Sequence, residues 1–174
     1  MIFAIPTDTC YWLACHIHDK PSFEKIYELK KRPIEKHLSI AVKNFSELER
    51  NFDLNETQIS FLKSYKYPFT VLTKFKDIDF LPQFLDREMY NEFWVRVAEC
   101  FLAQKLLDII NFPIFLTSAN ISWEDELYNK EDIIVLFWDK LDCIYWDSSW
   151  MWKPSNIFRF KGDTCDIEFI RKNH

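Results

Sequence analysis

Ile2-Phe3-Ala4-Ile5-Pro6-Thr7-Asp8-Thr9-Cys10-Tyr11 is the stretch on which the fold turns. An unbroken apolar run closing on a proline reads as a strand buried on both faces, the kind found inside α/β sheets. The Thr7-Asp8-Thr9 cluster then stands at the end of a strand, where ligands usually bind in open α/β sheets. Downstream, Phe23, Ile26 and Tyr27 follow helical spacing. Pro21 suits a first turn and Pro33 a stop, so a helix is expected over about residues 21–31. Leu38, Ile40 and Val42 alternate with smaller neighbours, a strand pattern. Ser46 with Glu49, and Asn55 with Gln58, have capping-box spacing for two short helices. Phe69 to Lys74 and Trp94 to Val97 read as strands. Leu102, Leu106, Leu107 and Ile110 share a helical face. A proline-led strand, Pro113 to Thr117, follows, then a helix opened by Asn129 and Asp132 and running to about Phe137. Asp142 to Tyr145, Ser155 to Phe160 and Cys165 to Ile170 read as closing strands. Strands and helices alternate with no repeat, low-complexity tract or linker. The class is α/β with a mixed sheet, in one domain over residues 1–174.

Composition narrows the function classes. The 174 residues carry a formal net charge of −5, 48% hydrophobic and 18% aromatic residues. That charge disfavours a protein whose main task is coating nucleic acid, and the apolar content is enough for a real core. The most apolar run, Leu106 to Leu116, is interrupted by Asp108, Asn111 and Pro113, so no membrane span is expected. Without signal-peptide features, and with five cysteines at irregular spacing, the expectation is a cytoplasmic protein with reduced thiols. Cys10, Cys15, His16 and His18 lack the paired spacing of structural zinc, so no metal ligands are assigned.

Two further polar clusters join Pro6-Thr7-Asp8-Thr9-Cys10-Tyr11. They are Lys30-Lys31-Arg32-Pro33 at a helix end and Thr117-Ser118-Ala119-Asn120-Ile121-Ser122 after the proline-led strand. Singly, each has an ordinary reading as a helix cap, a dipole complement or a turn. In order and spacing, PTDTCYWLAC, EKIYELKKRPIEKHLSIAV, FTVLTK, WVRV, FPIFLTSANIS and KPSNIF together resemble the YrdC-like threonylcarbamoyl-adenylate synthases over nearly the whole chain.

The resemblance implies a twisted mixed sheet flanked by helices around a large concave cavity. It implies synthesis of threonylcarbamoyl-AMP and pyrophosphate from ATP, bicarbonate (or CO2) and L-threonine, with Mg²⁺ accompanying ATP. The product feeds threonylcarbamoyladenosine modification of tRNA, so the implied partners are the transfer proteins downstream and tRNA itself. Carried over, the family tetrad falls on Lys30, Arg32, Ser118 and Asn120. The ATP-facing positions are Arg32, Lys36, Asn120 and Arg171. The threonine-facing ones are Thr9, Arg96, Ser118 and Ser155, with Arg96 toward the carboxylate. A planar arginine meets a carboxylate or phosphate with two bonds, which suits these roles. Lys30, at a helix end, is expected to be exposed. A non-catalytic RNA- or nucleotide-binding module, or an inactive paralogue, on the same fold is the competing expectation.

The sequence departs from that family in a pattern. Trp12 and Trp123 stand where the family has glycine after PTDTxY and TSANxS, and Trp94 where it commonly writes GVRV. Trp146, Trp150 and Trp152 fall in its glycine-rich stretch, and Trp138 where a helix-ending glycine is expected. The chain has one glycine and seven tryptophans, where usual composition would give roughly 12 glycines. Indole and hydrogen are not interchangeable, so the expectation is a gene that uses UGA for glycine, read here as tryptophan. UGG codons at Trp12 and Trp123 would end that reading. Ala98, Asn156 and the Tyr65-Lys66-Tyr67-Pro68 stretch are departures of another kind. So is the start directly on a strand, without the helix that most members carry before it.

Overall fold

The computed structural model describes residues 1–77, 80–145 and 153–174. Among these residues nine strands form one sheet: β1 (Ile2–Pro6), β2 (Tyr11–His16), β3 (Ser39–Val42), β4 (Phe69–Thr73), β5 (Phe93–Val97), β6 (Ile114–Ser118), β7 (Cys143–Ile144), β8 (Asn156–Phe160) and β9 (Ile167–Arg171). Their order is β7-β1-β2-β6-β3-β5-β4-β8-β9. The β1/β7, β3/β5 and β4/β8 pairs are parallel and the other five antiparallel, a mixed sheet as the sequence implied.

Five α-helices among the described residues accompany it: α1 (Lys20–Lys30), α2 (Phe45–Asn51), α3 (Glu56–Ser64), α4 (Gln104–Ile109) and α5 (Lys130–Phe137). Side chains alternate faces along a strand, and the core divides accordingly. Ile2, Cys15, Ile40, Val42 and Phe115 pack with Phe23, Ile26 and Tyr27 of α1, Leu48 of α2, and Ile59 and Leu62 of α3. Ala4, Tyr11 and Leu13 pack with Ile133 and Phe137 of α5. The opposite face, with Phe3, Ile5, Ala14, Ala41, Ile114 and Leu116, packs on Leu106 and Leu107 of α4. Burial of each such aliphatic or aromatic side chain is worth about 1.5–3 kcal/mol, which is why the sheet holds its register.

Several local readings need correction. The short helix α2 is capped by Asn44, whose side chain accepts from Glu47 N, rather than by a Ser46/Glu49 box. The Asn55/Gln58 box at α3 forms as read. Strand β2 has no counterpart among the strands expected from the sequence. It is buried along most of its length between β1 and β6, and such a run lacks the polar alternation that marks a half-exposed strand. Trp138 does not need glycine's freedom, since its φ of −40° and ψ of −53° are right-handed helical. Trp146, Trp150 and Trp152 lie outside the described residues.

Candidate functional site

Register decides what meets what. In the β2–β6 pairing Trp12 lies opposite Ser118, so the turn joining β1 to β2 and the end of β6 arrive together. The turn is closed by Thr7, whose Oγ1 donates to Cys10 O at 2.8 Å while its N–H bonds the same oxygen at 3.2 Å. Thr9 is buried beside it.

Helix α1 delivers the basic cluster. Asp19 caps its start by accepting from Ser22 N at 3.1 Å, and Lys31 ends it in the left-handed region at φ 49°. The reversal leaves Lys30 facing inward. Contrary to expectation it is 1% exposed. Its Nζ donates to Asn120 O at 2.7 Å, to Asn120 Oδ1 at 2.8 Å, and to Ser118 O. Those oxygens lie roughly ninety residues away in sequence, and three acceptors are what an ammonium group needs once water is removed. Ser118 Oγ donates to the same Asn120 Oδ1 at 2.8 Å, and Asn120 Nδ2 donates to Glu124 O at 2.6 Å. Ser122 N closes the knot on Lys30 O at 2.8 Å. Burial, and then the Arg32 charge, push the Lys30 amine down to about 7, opposed by Cys10 and Glu126.

Arg32 is fixed by the loop it starts. Its Nε donates to Lys36 O at 2.7 Å and its Nη2 to His37 O at 2.9 Å. Tyr27 Oη also donates to Lys36 O at 3.1 Å, and the His37 ring stacks on Tyr90 at 3.9 Å. Lys36 Nζ lies 3.1 Å above the Trp123 ring. On the far side, Thr70 Oγ1 and Ser155 Oγ are 2.9 Å apart, and Arg171 donates to Ser155 O through Nε at 3.2 Å and Nη2 at 3.0 Å.

These pieces surround a cavity of about 440 Å³, lined among others by Thr9, Arg32, Lys36, Ser118, Ser155 and Arg171. Lys30 and Asn120, buried and bonded to Ser118, support that wall from behind. Glu126 and Tyr128 also line it, and sequence reasoning did not find them. They come from an irregular acidic loop tied to the sheet through backbone bonds, Tyr11 N to Leu127 O at 2.8 Å and Leu127 N to Ala119 O at 3.2 Å. Cys10 lines the cavity too, but burial, and then Glu126, push its thiol up to about 12, which makes it a poor nucleophile.

Arg96 is the expected site residue set apart from this cavity. It is 1% exposed and grips the Asp8 carboxylate with Nη2 at 2.8 and 2.9 Å. Its Nε donates to Phe69 O at 3.2 Å, and Nη1 has no hydrogen-bond partner among the described residues. The guanidinium lies 4.2 Å from the Phe101 ring centre and 5.3 Å from that of Trp12. Asp8 and Arg96 line a second hollow of about 480 Å³ instead.

Known proteins align with this fold along its length. The profile of the Sua5/YciO/YrdC domain, described as telomere recombination, matches residues 1–172. A threonylcarbamoyl-AMP synthase of Enterobacter sp. (strain 638) is 25% identical over 159 residues, 90% of this chain and 83% of that protein. The crystal structure of E. coli YciO superposes with a TM-score of 0.78 at 21% identity, over 98% of this chain and 82% of that one. P. abyssi Sua5 complexed with L-threonine gives a TM-score of 0.79 at 22% identity, over 98% of this chain and 49% of that one. Among the described residues, no helix is long and apolar enough to cross a membrane.

Proposed function

The chain belongs to the Sua5/YciO/YrdC family, and we propose that it is an L-threonylcarbamoyladenylate synthase acting on ATP, bicarbonate or CO2, and L-threonine. The observation that carries the reading is the cationic lining of the 440 Å³ cavity, where Arg32 and Lys36 on one side and Arg171 on the other share one hollow with Ser118 of the Lys30–Ser118–Asn120 knot. The name of the Enterobacter relative and the threonine bound to P. abyssi Sua5 support the same chemistry.

In this reading the neutral amine of threonine adds to CO2, which bicarbonate supplies by taking up a proton and losing water, and releases a proton to solvent. An oxygen of the resulting carbamate then attacks the α-phosphorus of ATP. The bond to the β-phosphate oxygen breaks and pyrophosphate leaves. No protein nucleophile takes part, so the residues gather reactants and offset charge. Arg32 and Arg171 offer forked donors to phosphate oxygens, and Lys36 adds a third positive charge. Ser118 Oγ donates at the mouth of the knot, while Lys30 and Asn120 fix its position. Thr9 and Ser155 supply hydroxyls on the threonine side, and Arg96 is assigned to the carboxylate. Mg²⁺ in this family role travels with the triphosphate, which needs only one or two protein carboxylates. Glu126 and Glu35 line the cavity and fit that demand. Bound there, the ion would neutralise phosphate charge. The product, a mixed anhydride, suits transfer to tRNA by downstream proteins.

The test is pyrophosphate release measured with each substrate omitted in turn. Joint dependence on ATP, bicarbonate and threonine is expected, with Lys30→Ala and Arg32→Ala both inactive. Pyrophosphate formed without threonine, or none under any condition, would overturn the assignment. Nucleotide binding without turnover would favour a non-catalytic module.

A further inference from the structure

Of the four tryptophans among the described residues, two line the cavity and a third contacts a lysine that lines it. Trp12 and Trp94 line it, and Trp123 lies beneath Lys36. Trp123 also holds a φ of 79° while 81% exposed. A left-handed backbone disfavours any Cβ, and an exposed indole recovers little by burial. The single glycine, by contrast, occupies a turn at φ 60° where an added Cβ would meet nothing within 4 Å. The residue type suited to left-handed backbone is nearly absent from the chain, and at position 123 the bulkiest residue adopts that conformation.

Trp12 has a more specific consequence. Its Nε1 donates to Thr9 Oγ1 at 3.2 Å, and its ring lies 5.3 Å from the Arg96 guanidinium. Trp12 and Thr9 line the first hollow, whereas Arg96 lines only the second. The indole therefore covers a buried guanidinium whose Nη1 lacks a partner among the described residues. Buried donors without partners are costly, so an uncovered Nη1 would be a place to receive a ligand oxygen.

We propose that the working protein carries glycine at positions 12, 94 and 123, encoded by UGA, and that the indole at position 12 walls Arg96 off from the cavity. The inference rests on the synthase reading only for the ligand's identity. With no side chain at position 12, Thr9 Oγ1 and the free edge of Arg96 would share one hollow. A small amino acid could then present its hydroxyl to the first and its carboxylate to the second.

Peptide mass analysis of the protein from its natural source decides the residues. Glycine at 12, 94 and 123 is expected, and tryptophan at 12 overturns the proposal. Calorimetry then compares the full chain as written with one carrying W12G, W94G and W123G, using L-threonine as the probe. The glycine chain should bind at least about tenfold more tightly, and Arg96→Lys should remove the gain. Equal affinity in the two chains would overturn the wall. Should neither chain bind threonine, the synthase reading fails, while the peptide masses still decide what stands at position 12.

Discussion

The wall that joins α1 to the end of β6 and the wall that joins the β1–β2 turn to β5 each hold a buried cation, yet they are built differently. On the first, the Lys30 ammonium finds three acceptors within the wall, on Ser118 and Asn120, and Asn120 is held in turn by Glu124 O. On the second, Arg96 is only partly satisfied. Asp8 occupies one edge of its guanidinium, two rings cover its faces, and Nη1 is left over among the described residues. The first group has three acceptors of its own without a ligand and is charged below its lowered pKa of about 7. The second keeps one buried nitrogen without a partner among the described residues. A buried cation tied to backbone oxygens fixes geometry, whereas a buried cation with an idle donor leaves room for recognition.

The largest expected effect comes from Lys30→Met. It leaves Ser118 O and both Asn120 oxygens short of their donor, at a cost on the order of 3 kcal/mol in stability. Turnover should fall at least about a hundredfold, the usual loss when a positioned donor network is broken. Urea unfolding and pyrophosphate release read the two losses separately. A variant with wild-type stability would show that the first wall is not a unit.

The same lysine predicts a pH dependence. Its folded pKa, about 7, lies below the ordinary 10.5, so above pH 7 the unfolded chain holds a proton that the folded chain has released. Stability must then rise with pH through this window, by at most about 1.4 kcal/mol per pH unit. The thiols of Cys10, Cys15 and Cys100, all pushed up from 9.0, act in the opposite direction as pH approaches 9 and fully above it, so the climb is steepest between pH 7 and 8. Unfolding midpoints between pH 7 and 9 should therefore climb in the wild type and stay flatter in Lys30→Met. Equal slopes would locate the titration elsewhere.

Asp8→Asn tests the second wall. Removing one partner of a fully buried pair costs about 3–5 kcal/mol. Asp8 keeps 19% of its side chain in solvent while Arg96 keeps 2%, so about 2 kcal/mol is expected after solvent screening. The neutral amide would leave the guanidinium without its counter-charge, and added carboxylate ligands should recover part of the loss. Recovery by acetate or threonine in thermal unfolding supports a receptive Arg96. No recovery would reduce the residue to a structural role.

Much of the architecture was legible in the chain because the relevant signals are local. Pro21 and Pro33 frame α1, Asn55 with Gln58 opens α3, and the apolar runs at Ile2–Pro6 and Phe69–Thr73 can hardly be other than strands. The Thr117–Ser122 loop and the Lys30–Arg32 cluster were visible as polar ends of regular elements. What stayed hidden depends on distant partners. Nothing near Lys30 announces that residues 118 and 120 will surround it, so a helix-terminal lysine reads as solvated. Strand β2 was obscured because a strand covered on both sides loses its alternation. Glu126 and Tyr128 belong to no periodic pattern, and their place on the cavity follows from the backbone bonds of Leu127 to Tyr11 and Ala119.

The smallest effect is the sharpest probe of a strained point at the edge of the first wall. Trp123 adopts φ 79° directly after the Ser118–Ser122 loop, and its ring underlies Lys36. Replacing it with either glycine or alanine removes the indole and the contact with Lys36 equally, so the difference between those two variants isolates the Cβ. Alanine keeps a side chain in left-handed backbone and glycine does not, which favours Trp123→Gly by about 1–2 kcal/mol. Glycine's greater freedom when unfolded works the other way by about 0.4–1 kcal/mol on an ordinary backbone. The sign therefore reports the conformation at position 123 directly. If Trp123→Gly is the more stable of the two in urea, the loop holds a left-handed residue, and the knot around Lys30 is built on backbone that suits glycine. If Trp123→Ala is the more stable, the backbone there has relaxed to negative φ, and the strain at the edge of the first wall is absent.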